Sequence, residues 1–372
     1  GLSNRWMFMQ HFEQALQRAR RNGRTLALLL LDLDQFKDVN DAHGHAAGDL
    51  VLVEVARRLR SGLRAGDVIA RLGGDEFTVL LSDISCAEHA QETAQKLQHH
   101  LTAPCQLAVG EVRLGASIGI SVYPADAPDT GTLMRYADMA MYAAKADGRG
   151  TTAVYCPAMS QALMERSQLH DRLKLAIEQQ TLAVHYQPQV DVASGAIVAV
   201  EALVRWDDAV LGTVAPDRFI PLAVSTGLIH ALGDWVLETA CRQAADWADQ
   251  GTPVRMSINL SAQQFRHAQL PVRLQQLLRQ YDLPAHLIEL EVTETEAMTE
   301  PEAACEVLQR LRALGLSIAL DDFGTGYSSL SYLRLLPVSR LKIDREFIRQ
   351  VLHNDSDAVL VRAVIAMAHT LG

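Results

Sequence analysis

The sequence predicts two domains of different class: an α+β unit of βαββαβ type over residues 1–155, and an α/β barrel over residues 179–372, joined by a helix across 156–178. Three observations carry this reading. Strand-like and amphipathic helical runs surround a Gly73-Gly74 hairpin in the first part, strand-like runs alternate steadily with helical ones in the second, and Cys156-Pro157 interrupts the pattern between them. The length agrees, because 372 residues at roughly 100–200 per domain favour two domains over one.

Each element follows from its own residues. Residues 7–21 place Phe8, Phe12, Leu16 and Ala19 at helical spacing, and Asn22-Gly23 ends that helix. Residues 25–33 are apolar up to Asp32, as a strand buried on both faces requires, so Asp32-Leu33-Asp34 brings carboxylates to a strand terminus. An amphipathic helix over 48–63 carries Leu52, Val55, Ala56 and Leu59 on one side. Strands over 68–72 and 77–81 flank the hairpin; a helix over 87–101, a strand over 116–123 and a helix over 132–146 complete the unit. Leu163, Leu169, Leu173 and Ile177 then recur at helical spacing over 160–179, a stiff connector. Strand-like runs at 184–190, 197–206, 254–260, 288–292, 317–320 and 341–343 alternate with helices, which means a parallel sheet whose natural closure is a TIM-like barrel. These runs fall about two βα units short of eight, so the barrel is expected to be incomplete at its C-terminus and the natural protein to continue past Gly372.

Composition narrows the function classes. Hydrophobic residues at 49% and charged residues at 21% exclude disordered, collagen-like and coiled-coil chains. Asp and Glu number 44 against 34 Lys and Arg, and the net charge of −10 argues against broad binding to nucleic acid or anionic membrane. A phosphate-bearing ligand would need a few placed cations, or metal ions seated on the surplus acids. The longest apolar run, residues 26–31, is far short of the roughly 20 residues of a membrane helix, so no membrane segment is expected in this chain. Cys86, Cys105, Cys156, Cys241 and Cys305 are odd in number, widely spaced and without a Cys-x-x-Cys pair, which points to a reducing cytoplasm rather than disulfides or zinc. Met134, Met139 and Met141 share one helix and read as core filling, so neither haem nor flavin is implied.

Two groups of residues carry chemistry. Gly73-Gly74 lets the backbone turn sharply and approach a ligand, and Asp75-Glu76 places acids at the hairpin tip. Alone this is more often a solvated turn; with Asp32 from a neighbouring strand it becomes a site for a hard cation held jointly with substrate phosphates. In the second part Glu201, Asn259, Glu291, Glu294, Asp321 and Asp322 fall at strand ends, the rim where barrel enzymes do chemistry. Clustered buried acids are costly unless a metal neutralises them.

The run Asp32-Leu33-Asp34-Gln35-Phe36-Lys37-Asp38-Val39-Asn40-Asp41, with His43-Gly44-His45, Gly48-Asp49, Arg71-Leu72-Gly73-Gly74-Asp75-Glu76-Phe77 and Ala144-Lys145-Ala146-Asp147-Gly148-Arg149, resembles a GGDEF diguanylate cyclase domain. The resemblance implies a palm-like, nucleotide-cyclase-like fold that joins two GTP molecules into cyclic di-GMP, each GTP held by one subunit of a homodimer. It implies that Asp32, the Leu33 carbonyl and Asp75 bind two Mg²⁺ ions, that Asn40 and Asp49 read guanine, that Lys37, Lys145 and Arg149 neutralise phosphates, and that Glu76 assists at the attacking 3′-hydroxyl. The residue chemistry is consistent, since an amide can face guanine O6 and N7 while a carboxylate accepts from N1 and N2. Arg64-Ala65-Gly66-Asp67 matches the family's RxxD product-inhibition site.

The second half resembles an EAL phosphodiesterase domain from about Gln168 onward, through Tyr186-Gln187-Pro188, Glu201-Ala202-Leu203-Val204-Arg205-Trp206, Asn259-Leu260-Ser261, Glu291-Val292-Thr293-Glu294, Asp321-Asp322-Phe323-Gly324-Thr325-Gly326 and Leu341-Lys342-Ile343-Asp344-Arg345. That resemblance implies that Glu201, Asn259, Glu291, Asp321 and Asp322 ligate one or two Mg²⁺ or Mn²⁺ ions, that Glu294 braces the loop over 322–329, that Gln187 and Arg205 contact substrate phosphates, and that Lys342 orients the attacking water, giving the linear product pGpG. A further family acid and a later Gln-Gly motif have no counterpart within the 372 residues, which counts against hydrolysis by this stretch of chain.

The reading is therefore a bifunctional cyclic di-GMP enzyme of bacterial signalling, cytoplasmic, with a sensor or inner-membrane anchor possible upstream. Its rivals are a first domain that binds GTP only to regulate the phosphodiesterase, and a non-catalytic receptor for GTP or cyclic di-GMP. Asp75, Glu76 and Glu201 all stand intact, which counts against the receptor. Nucleic acid is not an expected partner, for want of a basic face.

Overall fold

The computed structural model describes residues 2–107, 110–324 and 333–371, and the chain divides into two compact units, Gly1–Glu165 and Arg166–Gly372. In the first, β1 (Thr25–Leu33), β2 (Val68–Gly73), β3 (Glu76–Ile84), β6 (Ala116–Tyr123) and β7 (Thr152–Val154) form one sheet in the order β2-β3-β1-β6-β7. The short strands β4 (Cys105–Leu107) and β5 (Gly110–Val112) pair separately. Strand β1 is central and antiparallel to both β3 and β6.

Its unbroken apolar run has a plain cause. Ala27, Leu29 and Leu31 pack on one face with Val51, Val55 and Leu59 of helix His45–Ser61 and Ala94 and Leu97 of helix Ala87–Thr102. Leu26, Leu28 and Leu30 pack on the other with Phe8, Phe12 and Leu16 of helix Arg5–Asn22 and Ala137 and Met141 of helix Thr130–Ala146. Both parities are buried, so the alternation of a one-sided strand disappears. Each fully buried leucine contributes about 1.5–3 kcal/mol. Helix Thr130–Ala146 lies so close to β6 that a Cβ at Gly119 would stand 2.0 Å from the Ala137 carbonyl oxygen and 2.1 Å from the Met141 nitrogen.

Helix Phe36–His43, the β4–β5 pair and β7 have no counterpart in the expected element list. The helix buries only Phe36 and Val39, and the strands are three residues long, so none makes a periodic signal.

The second unit holds β8 (Ala183–Val190), β9 (Ile197–Asp208), β10 (Gly212–Val214), β11 (Arg255–Asn259), β12 (Ile288–Thr293), β13 (Ser317–Phe323) and β14 (Arg340–Ile343). Strands β9, β11, β12, β13 and β14 are parallel neighbours in that order, as expected of a barrel sheet. The expectation of a wholly parallel sheet needs one correction: β8 and β10 both run antiparallel to β9. Residues 191–196, turned by an Asp191 amide to Ala196 carbonyl bond of 2.9 Å, are too few for the crossover that a parallel pair demands. Among the described residues β14 pairs with β13 alone, and the sheet is open at that edge.

The helices cover the sheet's outer face, where Leu237, Ala240, Cys241, Leu274, Leu277, Leu308 and Leu311 pack against Met256, Ile258, Leu290, Val292, Ile318 and Leu320. Burial pushes the Cys241 thiol up to about 12, so it behaves as a small core hydrophobe. Helix Pro157–Glu178 contains the division between the two units. Among the described residues no helix is long and apolar enough to cross a membrane.

Candidate active sites

Asp32 is the penultimate residue of β1, facing Glu76 of β3 on one side and Ser117 of β6 on the other. The β2–β3 hairpin pairs Gly73 with Glu76, leaving Gly74 and Asp75 as the turn. Gly74 has φ +49°, which favours glycine, and the Arg71 Nε donates to its carbonyl at 2.9 Å. The Leu33 amide donates to the Asp75 carbonyl at 3.4 Å, so Asp32, Leu33 and Asp75 come together at one end of the sheet. Lys145 stands there too, its Nζ 2.7 Å from Asp32 Oδ1. Burial raises the Asp32 pKa above the usual carboxylate range; Lys145 pulls it down, and Asp75 and Asp34 push it up again.

Asn40 lies on helix Phe36–His43 and Asp49 on helix His45–Ser61. A Cβ at Gly48 would stand 2.0 Å from Asn40 Oδ1, so the Asn40 side chain rests on the backbone immediately before Asp49. Lys37, Glu76 and Arg149 are exposed at the edges of this region, and no described contact ties Lys37 or Arg149 to Asp32 or Asp75. Arg64 and Asp67 are joined directly, the Arg64 amide donating to Asp67 Oδ2 at 3.0 Å, while Arg64 Nη2 lies 3.2 Å from His89 Nε2.

One acid of this strand end was named in the sequence without a role. Asp34, only 7% exposed, accepts from Ser117 Oγ at 2.8 Å and from the Gly150 amide at 2.9 Å. It thereby ties down the turn that follows Lys145 and contains Arg149.

In the second unit the strand register assembles the site. Ser257 of β11 is level with Glu201 of β9, Asn259 with Glu291 of β12, and Thr293 with Asp321 of β13, so the acids arrive on neighbouring strands at the carboxyl-terminal rim. Lys342 of β14 donates to Glu291 Oε2 at 2.5 Å, to Asp321 Oδ2 at 2.9 Å and to Glu201 Oε2 at 3.4 Å. Asn259 Nδ2 donates to Glu201 Oε1 at 2.8 Å. Burial pushes Glu291 up to about 7, further than Lys342 pulls it down. For Lys342 burial acts downward, and the bonds to Glu291 and Asp321 outweigh it, leaving the ammonium more firmly protonated than an ordinary lysine.

Glu294, 1% exposed, accepts from the Gly324 amide at 2.7 Å, at the start of the loop it was expected to brace; residues 325–329 of that loop lie outside the described residues. Asp322 follows Asp321 with φ +53° and is exposed. Gln187 is the cross-strand neighbour of Glu201, and Arg205 lies on the same face of β9 four residues on, its Nη1 donating to the Val204 carbonyl at 2.8 Å. Neither is in described contact with the acids.

Among the described residues no three His, Cys, Asp or Glu side chains stand at metal-ligand spacing, because Glu201, Glu291 and Asp321 are drawn onto Lys342. The donor set nonetheless suits a hard divalent cation. Glu201, Glu291 and Asp321 meet at the Lys342 ammonium, the Asn259 amide bonds Glu201, Asp322 is next in the chain, and among the described residues the buried Glu291 Oε1 has no hydrogen-bond partner.

Comparison with known proteins gives two family matches: the EAL domain model over residues 170–372, and the model for the diguanylate cyclase GGDEF domain over residues 1–151. The bifunctional diguanylate cyclase/cyclic di-GMP phosphodiesterase MucR of Pseudomonas aeruginosa is 46% identical over 372 residues, 100% of this chain and 54% of that protein. The cyclic di-GMP phosphodiesterase NbdA of the same species is 40% identical over 372 residues, 100% of this chain and 47% of its own. The chain thus spans about half the length of these relatives. A solved structure of PaMucR phosphodiesterase in complex with c-di-GMP matches with a TM-score of 0.54 at 45% identity, covering 55% of this chain and 83% of that one. The chain belongs to the EAL domain family, with a diguanylate cyclase GGDEF domain preceding its EAL domain.

Proposed function

We propose that the chain turns over cyclic di-GMP in both directions, residues 1–155 making it from two GTP molecules and residues 179–372 hydrolysing it to pGpG, with residues 156–178 as the linking helix. The observation that carries the reading is the convergence of Glu201, Glu291 and Asp321 from separate strands on Lys342, with Asn259 on Glu201. The printed function of MucR and the c-di-GMP complex of its phosphodiesterase support it.

In the cyclase half, Asp32, the Leu33 carbonyl and Asp75 would hold two Mg²⁺ ions, which when bound neutralise triphosphate charge and favour an alkoxide-like nucleophile. Asn40 and Asp49 orient the guanine. Lys37, Lys145 and Arg149 hold phosphate oxygens, and Glu76 takes the proton of the attacking 3′-hydroxyl as pyrophosphate leaves. Two subunits each present one GTP, so a homodimer is required. Arg64 and Asp67 bind the accumulated product and restrain synthesis. In the phosphodiesterase half, Glu201, Asn259, Glu291, Asp321 and Asp322 would hold Mg²⁺ or Mn²⁺. Gln187 and Arg205 hold the phosphates, Glu294 steadies the loop beginning at Asp322, and Lys342 orients the attacking water. Both substrates place the work in the cytoplasm, whether or not the longer protein is tethered to the inner membrane.

The test is to incubate the purified chain separately with GTP and with cyclic di-GMP, each with Mg²⁺ or Mn²⁺, and to separate the products by liquid chromatography. Cyclic di-GMP from GTP and pGpG from cyclic di-GMP are expected, the second from the acids at the rim in spite of the further family acid and Gln-Gly motif that these 372 residues lack. Absence of either product overturns that half of the reading, and tight nucleotide binding with neither product makes the chain a receptor.

A further inference from the structure

A second ionic layer lies beneath the acidic rim of the EAL domain. Side chains two apart on a strand share a face, so Glu289 lies below Glu291 on β12, Ser257 below Asn259 on β11, and Arg340 below Lys342 on β14. Glu289 is 1% exposed. Arg340 Nη1 donates to its two carboxylate oxygens at 2.7 and 2.6 Å, Ser257 Oγ donates to Oε1 at 2.9 Å, and Arg255 Nη1 lies 4.0 Å from Oε2.

The Arg340–Glu289 contact repeats, one step lower, the Lys342–Glu291 contact of the rim. Both reach from β14 to β12 across the intervening β13. Ala319 of β13 is level with both Arg340 and Glu291 and fully buried, and its small side chain leaves the path open. Such a tie matters because β14 is four residues long, pairs with β13 alone among the described residues, and has an irregular register between Leu320 and Phe323. A short edge strand has little else to stop it sliding.

We propose that Glu289 and Arg340 are a positioning pair for Lys342. Their buried contact fixes the height of β14 against β12 and so fixes where the Lys342 ammonium lies among Glu201, Glu291 and Asp321. The proposal rests on the reading that Lys342 orients the attacking water.

The experiment compares the full chain with its Arg340→Met and Arg340→Lys variants by two readouts. The first is hydrolysis of cyclic di-GMP, resolved into kcat and KM. The second is the rate at which an amine-acetylating reagent modifies each of the five lysines, Lys37, Lys96, Lys145, Lys174 and Lys342, followed by mass spectrometry. In Arg340→Met, kcat is expected to fall by about 100-fold with KM little changed, the scale of an ångström-level misplacement. Lys342 should become several-fold more reactive while Lys174 of the same unit does not. Arg340→Lys, which keeps a cation on Glu289, should recover most of both. Unchanged kcat and unchanged Lys342 labelling in Arg340→Met overturn the proposal, as does uniform acceleration at all lysines in both variants, which would mark a merely structural pair. If the unsubstituted chain does not hydrolyse cyclic di-GMP, the function proposed above falls while the labelling still decides whether the pair positions Lys342.

Discussion

Replacing Asp34 by alanine should loosen the cyclase site without touching a residue that faces substrate. The carboxylate is 7% exposed, and it accepts from Ser117 Oγ at 2.8 Å and the Gly150 amide at 2.9 Å, so alanine strips both donors of their acceptor where little water can replace it. A hydrogen bond to a charged group is worth about 1.5–3 kcal/mol, and the Ser117 hydroxyl can rotate, so a total near 3 kcal/mol is expected. Asparagine is the control. Its oxygen can keep the Gly150 amide while its nitrogen donates to the Ser117 hydroxyl, limiting the loss to about 1 kcal/mol. At about 1.4 kcal/mol per decade, Asp34→Ala should speed amide exchange of the Gly150 segment by about 100-fold and Asp34→Asn by less than about tenfold. Hydrogen exchange read by mass spectrometry on the full chain measures this. KM for GTP should rise in the same order, because Arg149 belongs to the turn that Asp34 secures and Lys145 stands just before it. Equal exchange in Asp34→Ala and the unsubstituted chain, or no difference between the two variants, would refute the reasoning.

Other consequences are as direct. Gly119→Ala drives a methyl group into helix backbone that cannot yield, at 2.0 Å from the Ala137 oxygen, and should cost about 3 kcal/mol in thermal or urea unfolding; a neutral result would show that the helix packs less closely on β6. Gly48→Ala meets a side chain instead, so the fold should survive while Asn40 is displaced from its place beside Asp49. Preference for guanine over adenine nucleotides, measured by competition, should fall about tenfold or more. Glu291, raised to about 7, binds its proton more tightly folded than unfolded, so the metal-free protein loses stability as pH rises from its ordinary value of 4.5 toward 7. A cation must displace that proton, so apparent Mn²⁺ affinity should rise about tenfold per pH unit below 7 and level off above it. Mn²⁺ titration by electron paramagnetic resonance checks this, and a flat profile from pH 5.5 to 7.5 would contradict it.

What the sequence revealed and what it hid divide along physical lines. Strand β1 was legible because both of its parities are apolar, and the Gly73-Gly74 turn because glycine at φ +49° leaves a mark in composition. The acids of the rim were legible because each interrupts or ends an otherwise apolar strand. The direction of β8 was not, since period-two alternation is the same read either way; only the brevity of residues 191–196 separates an antiparallel return from a crossover. Helix Phe36–His43 stayed hidden because its two buried side chains make no stripe. In the sites, the roles of Asp34 and Glu289 went unseen for one reason: their partners Gly150 and Arg340 are 116 and 51 residues away, and no local pattern announces such a pairing.

The reversed first strand of the EAL domain also decides where the chain enters the sheet. Ala183, the first residue of β8, is level with Arg205, beyond Glu201 toward the carboxyl end of β9. Helix Pro157–Glu178 therefore passes into the sheet at its carboxyl-terminal rim, through residues 179–182 alone, where a parallel first strand would have entered from the opposite end. The polypeptide arriving from the preceding helix meets the rim that carries Glu201 first, and Gln187 is reached within a single extended stretch. Leu169, Leu173 and Ala176 of the helix are buried with Leu182, Trp206 and Phe219, so a residue inserted in this short passage would set that packing against the β8–β9 register. The acidic rim is thus separated from the end of that helix by four residues of chain and four of strand.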